Sequence, residues 1–393
     1  MKYFDILFMQ KPNYDTKIRY FLQFKPQIRI FALKFQVKII PFSYFQDMAK
    51  RIEQLVRANI LRLMTHFPGQ EQHAEHQQNT KLDANESPYN KPFNRFPDAS
   101  ETLIKGKMAK LKGTDPENIL ITNGEAAAID TIFRCFAEPQ ADNIVSIRPT
   151  ADFYKSCALL NDVEFREVDL DNRFDITAER ILARCDDRTK IILLCSPNNP
   201  TGNLLDANET ERILQQFEGI VVIDESFADF TLARKFRHEV KRHANLVVLN
   251  SMNYAWACAA INTAIVIASS EIIEVLRLAK TGGTNTFMQE KILEMLNKPF
   301  EVETWIKNLL IEKERMTDAI RLLSPCQRIF HSDANFILAQ FKDADSLHAY
   351  LIGKNIAVSN QSHAFNCENC LRITVGSKSE NTELISALRQ FNQ

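Results

Sequence analysis

The chain has 393 residues, of which 45% are hydrophobic and 25% are charged, and its formal net charge is −1. These values are ordinary for a globular protein of one or two domains, and the balanced charge gives no electrostatic preference for nucleic acid or an anionic membrane. No apolar run reaches the roughly 18 residues that a membrane helix needs. We therefore expect neither nucleic acid nor a membrane as a partner. The eight scattered cysteines favour a reducing, cytoplasmic location.

Glycine is scarce, with only 10 residues in the whole chain, against about 7% in typical proteins. Loops that hold a phosphate with their backbone normally need glycine, so this scarcity argues against an intact phosphate-binding loop. The closest cysteine pair, CENC at 367–370, cannot complete a tetrahedral zinc site by itself. The sequence therefore predicts no metal site.

Residues 1–47 differ from the rest, because they hold eight of the 27 phenylalanines, interleaved with lysine and arginine in no regular period. We expect an extension that is either poorly ordered or read from a misassigned translation start. An amphipathic arm that binds a membrane or a partner is the alternative. Met48 opens MAKRIEQLVRANILRL, which predicts an amphipathic helix over residues 48–63.

From about residue 117, short apolar strands alternate with helical segments. The predicted strands are NILIT, NIVSI, VEFREV, KIILLC, GIVVID, NLVVLN and TAIVIAS. The helix in DITAERILARC is predicted to begin at Asp175 as its N-cap, with Glu179 four residues on. This alternation predicts an α/β fold with a mainly parallel sheet that helices cover on both faces.

After about residue 300 the pattern changes. A long helix precedes the strand ANFILAQF, the helix DADSLHAYLIGK, the strands NIAVS and CLRITVG, and a last helix, which predicts a smaller α+β domain. The predicted segments are an extension at 1–47, a segment at 48–95 that joins the small domain, a large domain at 96–298 and a small C-terminal domain at 299–393.

Two predicted strands end in polar residues. The turn SPNNPTGN follows KIILLC, and Asp224 ends GIVVID. Ligands of α/β sheets bind at the carboxyl ends of the strands, although each motif alone also fits a tight turn or a helix cap.

Together with LDANESPYN, RFPD, VVIDESFADF, AWACAAI and LRITVG, in this order and spacing, the motifs resemble the pyridoxal-phosphate (PLP) aminotransferases of fold type I. The resemblance is strongest to the histidinol-phosphate aminotransferases and covers roughly residues 50 to 393. It implies a seven-stranded PLP-binding domain with a small domain, usually in a homodimer with sites at its interface.

The family chemistry needs a lysine for the Schiff base and a carboxylate for the pyridine nitrogen. It also needs a donor to the ring hydroxyl, a phosphate site at a helix N-terminus and an arginine for the substrate carboxylate. The resemblance assigns Asp224 to the pyridine nitrogen, Asn199 to the ring oxygen, and Arg372 and Asn85 to substrate binding. A strand-end arginine that pairs with an acid is the alternative for Arg372.

Other family positions carry different residues. Tyr254 stands at the lysine position, and a phenol cannot form an imine. Asn262 stands at the phosphate arginine, and Phe227 stands at the tyrosine that bonds the ring hydroxyl. A carboxylate at a helix N-terminus, such as Glu125, repels a phosphate that would bind there. The further substituted positions are Ala126, Asn253, Ala257, Ala151, Phe96, Ser359 and Gln361.

Three hypotheses follow. The first is a catalytically degenerate aminotransferase that binds a small molecule or a partner, as a homodimer or as a heterodimer with an active paralogue. The second is an active enzyme that transfers an amino group between histidinol phosphate, or a related amino acid derivative, and 2-oxoglutarate, with Lys280 forming the Schiff base. The third uses Tyr254, Asp224 and Glu125 as acid and base groups for another reaction. We favour the first.

Overall fold

The computed structural model describes residues 52–66, 80, 82 and 84–391. The predicted extension at residues 1–47 and the predicted start of the first helix at 48–51 lie outside the described residues.

The larger sheet has seven strands in the order β1-β7-β6-β5-β4-β2-β3. All neighbouring pairs are parallel except the two that β7 forms with β1 and β6. The strands are β1 Ile119–Thr122, β2 Asn143–Arg148, β3 Glu164–Asp169, β4 Thr189–Cys195, β5 Ile220–Asp224, β6 Leu246–Ser251 and β7 Ala264–Ala268. Each predicted strand of the large domain is therefore confirmed.

Both faces of this sheet are buried. In β4, Ile192 and Leu194 belong to one apolar cluster, whereas Ile191 and Leu193 belong to a second. Successive side chains of a strand point to opposite faces, so the two clusters are the two sides of the sheet. This confirms the predicted α/β architecture, in which apolar strands are covered by helices on both faces.

Helices separate the strands from β1 to β5, as the sequence predicts, and others precede β1 or follow β7. They are α1 Ala58–His66, α2 Thr102–Lys112, α3 Glu125–Phe136, α4 Phe153–Leu160, α5 Ala178–Leu182, α6 Ala207–Gln216, α7 Ser270–Ala279 and α8 Thr286–Leu296. Within the described residues, no helix is long and apolar enough to span a membrane.

The smaller sheet is antiparallel, in the order β10-β11-β9-β8. Its elements are α9 Pro299–Arg321, β8 Cys326–Ile329, β9 Phe336–Phe341, α10 Ala344–Gly353, β10 Ser359–Asn360, β11 Cys370–Thr374 and α11 Lys378–Gln390. It has its own apolar cluster, to which α9, α10 and α11 each contribute. The predicted strand NIAVS is wrong over most of its length, because only Ser359 of this segment pairs with β11.

Two predicted helices also differ from the structure, one in its continuity and one in its start. The helix predicted at 48–63 is interrupted at residues 56 and 57, because the backbone N–H of Arg57 donates to the Cys135 carbonyl at 2.9 Å instead of continuing the helix. The helix predicted to begin at Asp175 begins at Ala178, with Thr177 as its N-cap. Asp171 accepts from the backbone N–H of Asp175 at 2.9 Å, which holds that residue in the preceding turn.

The described part of the predicted joining segment lies against the large sheet. Ile52, Val56 and Ile60 are buried in the same cluster as the second face of that sheet. The predicted boundaries of the domains remain a prediction.

Candidate functional site

Asp224 is the last residue of β5, and its carboxylate is buried, with 3% of the residue exposed. Tyr154 of α4 donates its hydroxyl to Asp224 Oδ2 at 2.6 Å, and the backbone N–H of Ser226 donates to Oδ1 at 2.9 Å. Burial raises the pKa of Asp224, and the hydrogen bonds from Ser226 and Tyr154 oppose that shift. The side chain stands at the carboxyl end of the strand, where the sequence predicts a ligand group.

A further contact joins the smaller sheet to the turn after β4. Arg372 of β11 donates from Nη1 to Oδ1 of Asn199, which follows β4, and its guanidinium lies 5.7 Å from the ring centroid of Phe336. Burial lowers the pKa of Arg372. Within the described part of the chain, no carboxylate forms an ion pair with Arg372. Its hydrogen-bond partner is the Asn199 amide, and not an acid as the alternative interpretation of Arg372 requires. Its neighbour in β10 is Ser359.

Tyr254 follows β6 and stacks on Phe227, with ring centroids 4.4 Å apart. Phe227 in turn contacts the edge of Phe336, with centroids 5.2 Å apart. About a third of Tyr254 is exposed. Burial raises the pKa of Tyr254 above its usual range, the charges of Glu125 and Asp224 add to the rise, and Arg372 opposes it. The phenol is therefore neutral near pH 7, with two carboxylates and one guanidinium around it.

The N-terminus of α3 is filled by the protein's own side chains. Glu125 is its first residue and is buried, and Asn253 Nδ2 donates to both of its carboxylate oxygens at 3.1 and 3.2 Å. Asn253 Nδ2 also lies 3.1 Å from Asn262 Oδ1. Gly124 has φ +90°, and a Cβ added to it would lie 2.4 Å from Asn262 Oδ1. The Asn262 side chain therefore lies directly over this turn.

Burial raises the pKa of Glu125, and the nearby charge of Asp224 raises it further. Within the described residues, neither Glu125 nor Asp224 takes part in an ion pair. We call the group formed by Glu125, Tyr154, Asn199, Asp224, Tyr254 and Arg372 the strand-end site. It combines an arginine and two carboxylates that form no ion pairs within the described residues with two neutral phenols. This set can bind a ligand that carries both a positive and a negative charge.

Other predicted positions lie outside these contacts. Asn85 is exposed with φ 55°, and Phe96 is exposed while its N–H donates to Glu86 at 2.6 Å. Within the described residues, no contact joins either of them to the strand-end site. Gln361 donates to Ser359 Oγ at 2.7 Å. Lys280 lies 3.4 Å from Glu101 in an ion pair.

Sequence reasoning missed two contributors, Tyr154 and the amide of Asn253 as the partner of Glu125. Tyr154 is the third residue after Ala151 and is fully buried in α4. A tyrosine on the buried face of a helix usually finds a partner for its hydroxyl. This preference is the feature of the sequence that could have indicated a role for Tyr154. The sequence marks Asn253 only as a substituted position, because its contact with Glu125 spans 128 residues of chain.

The described residues contain no group of three or more His, Cys, Asp or Glu side chains arranged to hold a metal. Cys367 and Cys370 are both buried, and burial raises the pKa of each thiol to about 12.

A family model described as aminotransferase class I and II matches residues 66–388. The chain is 42% identical over 343 residues to a histidinol-phosphate aminotransferase of Bacteroides thetaiotaomicron, which covers 87% of this chain and 99% of the relative. It is 39% identical over 344 residues to the protein of that name from Parabacteroides distasonis, with coverages of 87% and 99%.

Solved structures share the fold. The histidinol-phosphate aminotransferase of Clostridium acetobutylicum matches with a TM-score of 0.70 at 20% identity, over 76% of this chain and 91% of that one. The enzyme of that name from Sinorhizobium meliloti, solved in complex with pyridoxal-5'-phosphate, matches with a TM-score of 0.68 at 15% identity, over 85% and 86% of the two chains.

Proposed function

Because this chain belongs to the class I and II aminotransferase family and is related to the histidinol-phosphate aminotransferases, we propose that it is a catalytically degenerate member that binds a small carboxylate ligand without PLP. The family implies PLP as the cofactor. The residues of this chain at the α3 N-terminus and at position 254 do not fit that group.

The arrangement at the α3 N-terminus is the observation that carries the proposal. A helix N-terminus attracts anions through its free N–H groups and its dipole, and here the Glu125 carboxylate already lies there. A phosphate would have to approach a buried carboxylate without a cationic partner in the described residues, and like charges at close range repel. The Asn262 side chain over Gly124 takes up the same space.

The Schiff-base requirement supports the same proposal. Tyr254 offers a phenol rather than an amine, and its raised pKa keeps it protonated. An active enzyme would need another lysine, and Lys280 is engaged by Glu101. Glu101 also accepts from Thr284 Oγ1 at 2.7 Å, so this ion pair is part of a buried network. These contacts disfavour the active alternative.

The contacts of Arg372 support binding of a carboxylate. The partly buried Arg372 forms no ion pair within the described residues, and the nearby charge of Asp152 offsets only part of its desolvation. A bound carboxylate would supply a direct partner in bidentate geometry. Asn199 orients one side of the guanidinium through its amide oxygen. The Glu125 and Asp224 carboxylates near Tyr254 favour a ligand that also carries an ammonium group.

Titration calorimetry with glutamate tests this proposal. We expect binding to the native chain in the absence of PLP, and we expect Arg372→Gln to weaken it at least about tenfold, since hydrogen bonds between charged groups contribute about 1.5–3 kcal/mol. Arg321→Gln, at the exposed end of α9, is the matched control and should bind as the native chain does. Equal affinity in both variants would refute the assignment of Arg372.

We also propose that the chain forms a dimer, with itself or with an active paralogue. Phe93 and Phe287 are exposed and contact each other with ring centroids 5.4 Å apart, and Phe96 is exposed close by in sequence. Exposed aromatic groups of this kind are typical of protein interfaces.

A further inference from the structure

A cavity of about 550 Å³ lies apart from the strand-end site, between the end of α2, residues 229–239 and the start of α9. Trp256 forms part of its wall, whereas no residue of the strand-end site does. We call it the loop cavity. No step of the proposed function uses it.

Its inner end holds two buried cations that share one acid. Lys112 Nζ lies 2.8 Å from Asp229 Oδ2, and Arg237 Nη1 lies 3.0 Å from Asp229 Oδ1. Both cations are more than nine-tenths buried, and Arg237 Nε has no hydrogen-bond partner. Asp229 is the close carboxylate partner of both the Lys112 ammonium and the Arg237 guanidinium, and Glu225 lies farther from Arg237, at 3.7 Å. The compensation of these two buried charges is therefore incomplete.

Lys235 adds a third cation. Its Nζ donates to the backbone carbonyls of Thr231 and Ala233 at 2.5 and 3.4 Å, and within the described residues no carboxylate forms an ion pair with it. Burial lowers the pKa of Lys235, and the charge of Arg237 lowers it further. The positive charges of Lys112, Lys235 and Arg237 therefore repel each other across this cavity.

The acids around the cavity offset the positive charge of these three cations only in part. Glu239 pairs with Arg234 at 3.1 Å and with Arg242 at 2.8 Å, and Glu303 is exposed on α9. Glu225 lies 3.7 Å from Arg237, and burial raises the pKa of Glu225 to about 7, so near neutrality it carries only part of a charge.

Apolar side chains form much of the remaining wall, which also includes Thr231 and His238. Leu111, Trp256, Val302 and Ile306 line it. Trp256 also donates from Nε1 to Asp229 Oδ2 at 3.4 Å. A site with an apolar wall and a few convergent polar groups is the usual form of a small-molecule pocket.

We propose that the loop cavity is a second binding site, for a small organic anion with an apolar or aromatic body. Its carboxylate or phosphate group would lie between Lys235 and the Lys112–Arg237 pair, and its body would lie against Trp256. The anion supplies the negative charge that Asp229 and the partly charged Glu225 do not fully provide to three cations.

Tryptophan fluorescence of the full chain tests this proposal directly. The chain has two tryptophans, and Trp305→Phe leaves Trp256 as the only reporter. In this variant we expect benzoate and phenyl phosphate to change the emission in a saturable way, and we expect neutral benzamide to need at least about tenfold higher concentration. The comparison of the two anions shows whether the cavity prefers a carboxylate or a phosphate.

Lys235→Gln, added to Trp305→Phe, should weaken binding of the anions at least about tenfold. It keeps an N–H donor for the two carbonyls, and circular dichroism shows whether the fold is retained. Lys241→Gln, on the same segment but outside the cavity and paired with Asp115, is the matched control and should leave binding unchanged.

Arg372→Gln separates the two sites, because it removes the cation of the strand-end site and should leave the Trp256 signal intact. Loss of the signal in Arg372→Gln would place the anion at the strand-end site and overturn the proposal. Equal binding of benzamide and benzoate, unchanged binding in Lys235→Gln, or no response to either anion would overturn it too.

Discussion

At the scale of single residues, Tyr254 is only one of the positions that separate this chain from PLP chemistry. We predict that Tyr254→Lys alone forms no Schiff base with added PLP, because Glu125 and Asn262 still fill the α3 N-terminus. Adding Glu125→Ser and Asn262→Arg should raise PLP affinity by removing an anion and supplying a cation. The absorbance of the protein-bound imine after PLP addition measures Schiff-base formation in the single and in the combined variant. Full Schiff-base formation in the single variant would show that the phosphate position is undamaged.

Glu225 gives a pH prediction at the same scale. Burial raises its pKa to about 7 from its ordinary value of 4.5, and the attraction of Arg237 only partly opposes this. The folded state then binds more protons than the unfolded state between these pH values, so the contribution of Glu225 to stability falls as pH rises from about 4.5 to about 7.

Glu225→Gln should therefore be more stable than the native chain above pH 7, and this advantage should shrink as the pH falls toward 4.5. The glutamine oxygen still accepts from the Phe236 N–H, which Glu225 Oε1 bonds in the native chain. Urea denaturation of both proteins at several pH values measures the difference in unfolding free energy. A constant difference across this range would contradict the raised pKa.

The residue-scale contacts were only partly predictable. Asp224 and Asn199 follow apolar strands, so their positions at the strand ends could be read from the sequence. The bond between Asn199, in the turn after β4, and Arg372 of β11 joins residues 173 positions apart, and only the family resemblance brought those two residues into one site. The loop cavity depends on Lys112 and Asp229, 117 positions apart, and carries no local motif.

At the scale of elements, the turn between β1 and α3 depends on Gly124. Its φ of +90° is unfavourable for a side chain, and an added Cβ would meet Asn262. Gly124→Ala should lower the free energy of unfolding by about 1–3 kcal/mol. In the Asn262→Gly background the added Cβ no longer meets a side chain at position 262, so the loss of unfolding free energy on Gly124→Ala should be smaller. Chemical denaturation of the native chain, the two single variants and the double variant gives the coupling free energy between positions 124 and 262. An equal loss of unfolding free energy on Gly124→Ala in both backgrounds would mean that Asn262 does not lie against this turn.

Element types were predicted well where the apolar pattern was long, and less well at the ends of elements. The start of α5 is set by the turn that Asp171 stabilises, and the break before α1 is set by the contact of Arg57 with the end of α3. Both helix ends depend on hydrogen bonds that compete with helix formation. The local pattern of apolar and polar residues does not show which of these hydrogen bonds forms.

At the scale of the whole molecule, the apolar strands were enough to predict the large sheet, although its edge strand β3, EFREVD, is largely polar. Buried parallel strands read as continuous apolar runs, and both faces of β4 and β6 are covered as expected. The two-residue strand β10 could not be predicted, because its pairing with β11 depends on the tertiary placement of Arg372 opposite Ser359. The scaffold therefore folds around its apolar clusters, while the polar residues at the strand ends decide what it can bind.

Treatment of the purified full-length chain with PLP, followed by borohydride reduction and peptide mapping, is the most direct test of the central claim. We predict no absorbance above about 400 nm, where protein-bound imines of PLP absorb, and no modified lysine. A single lysine modified in stoichiometric amount would contradict the proposal that this chain has lost the chemistry of its family.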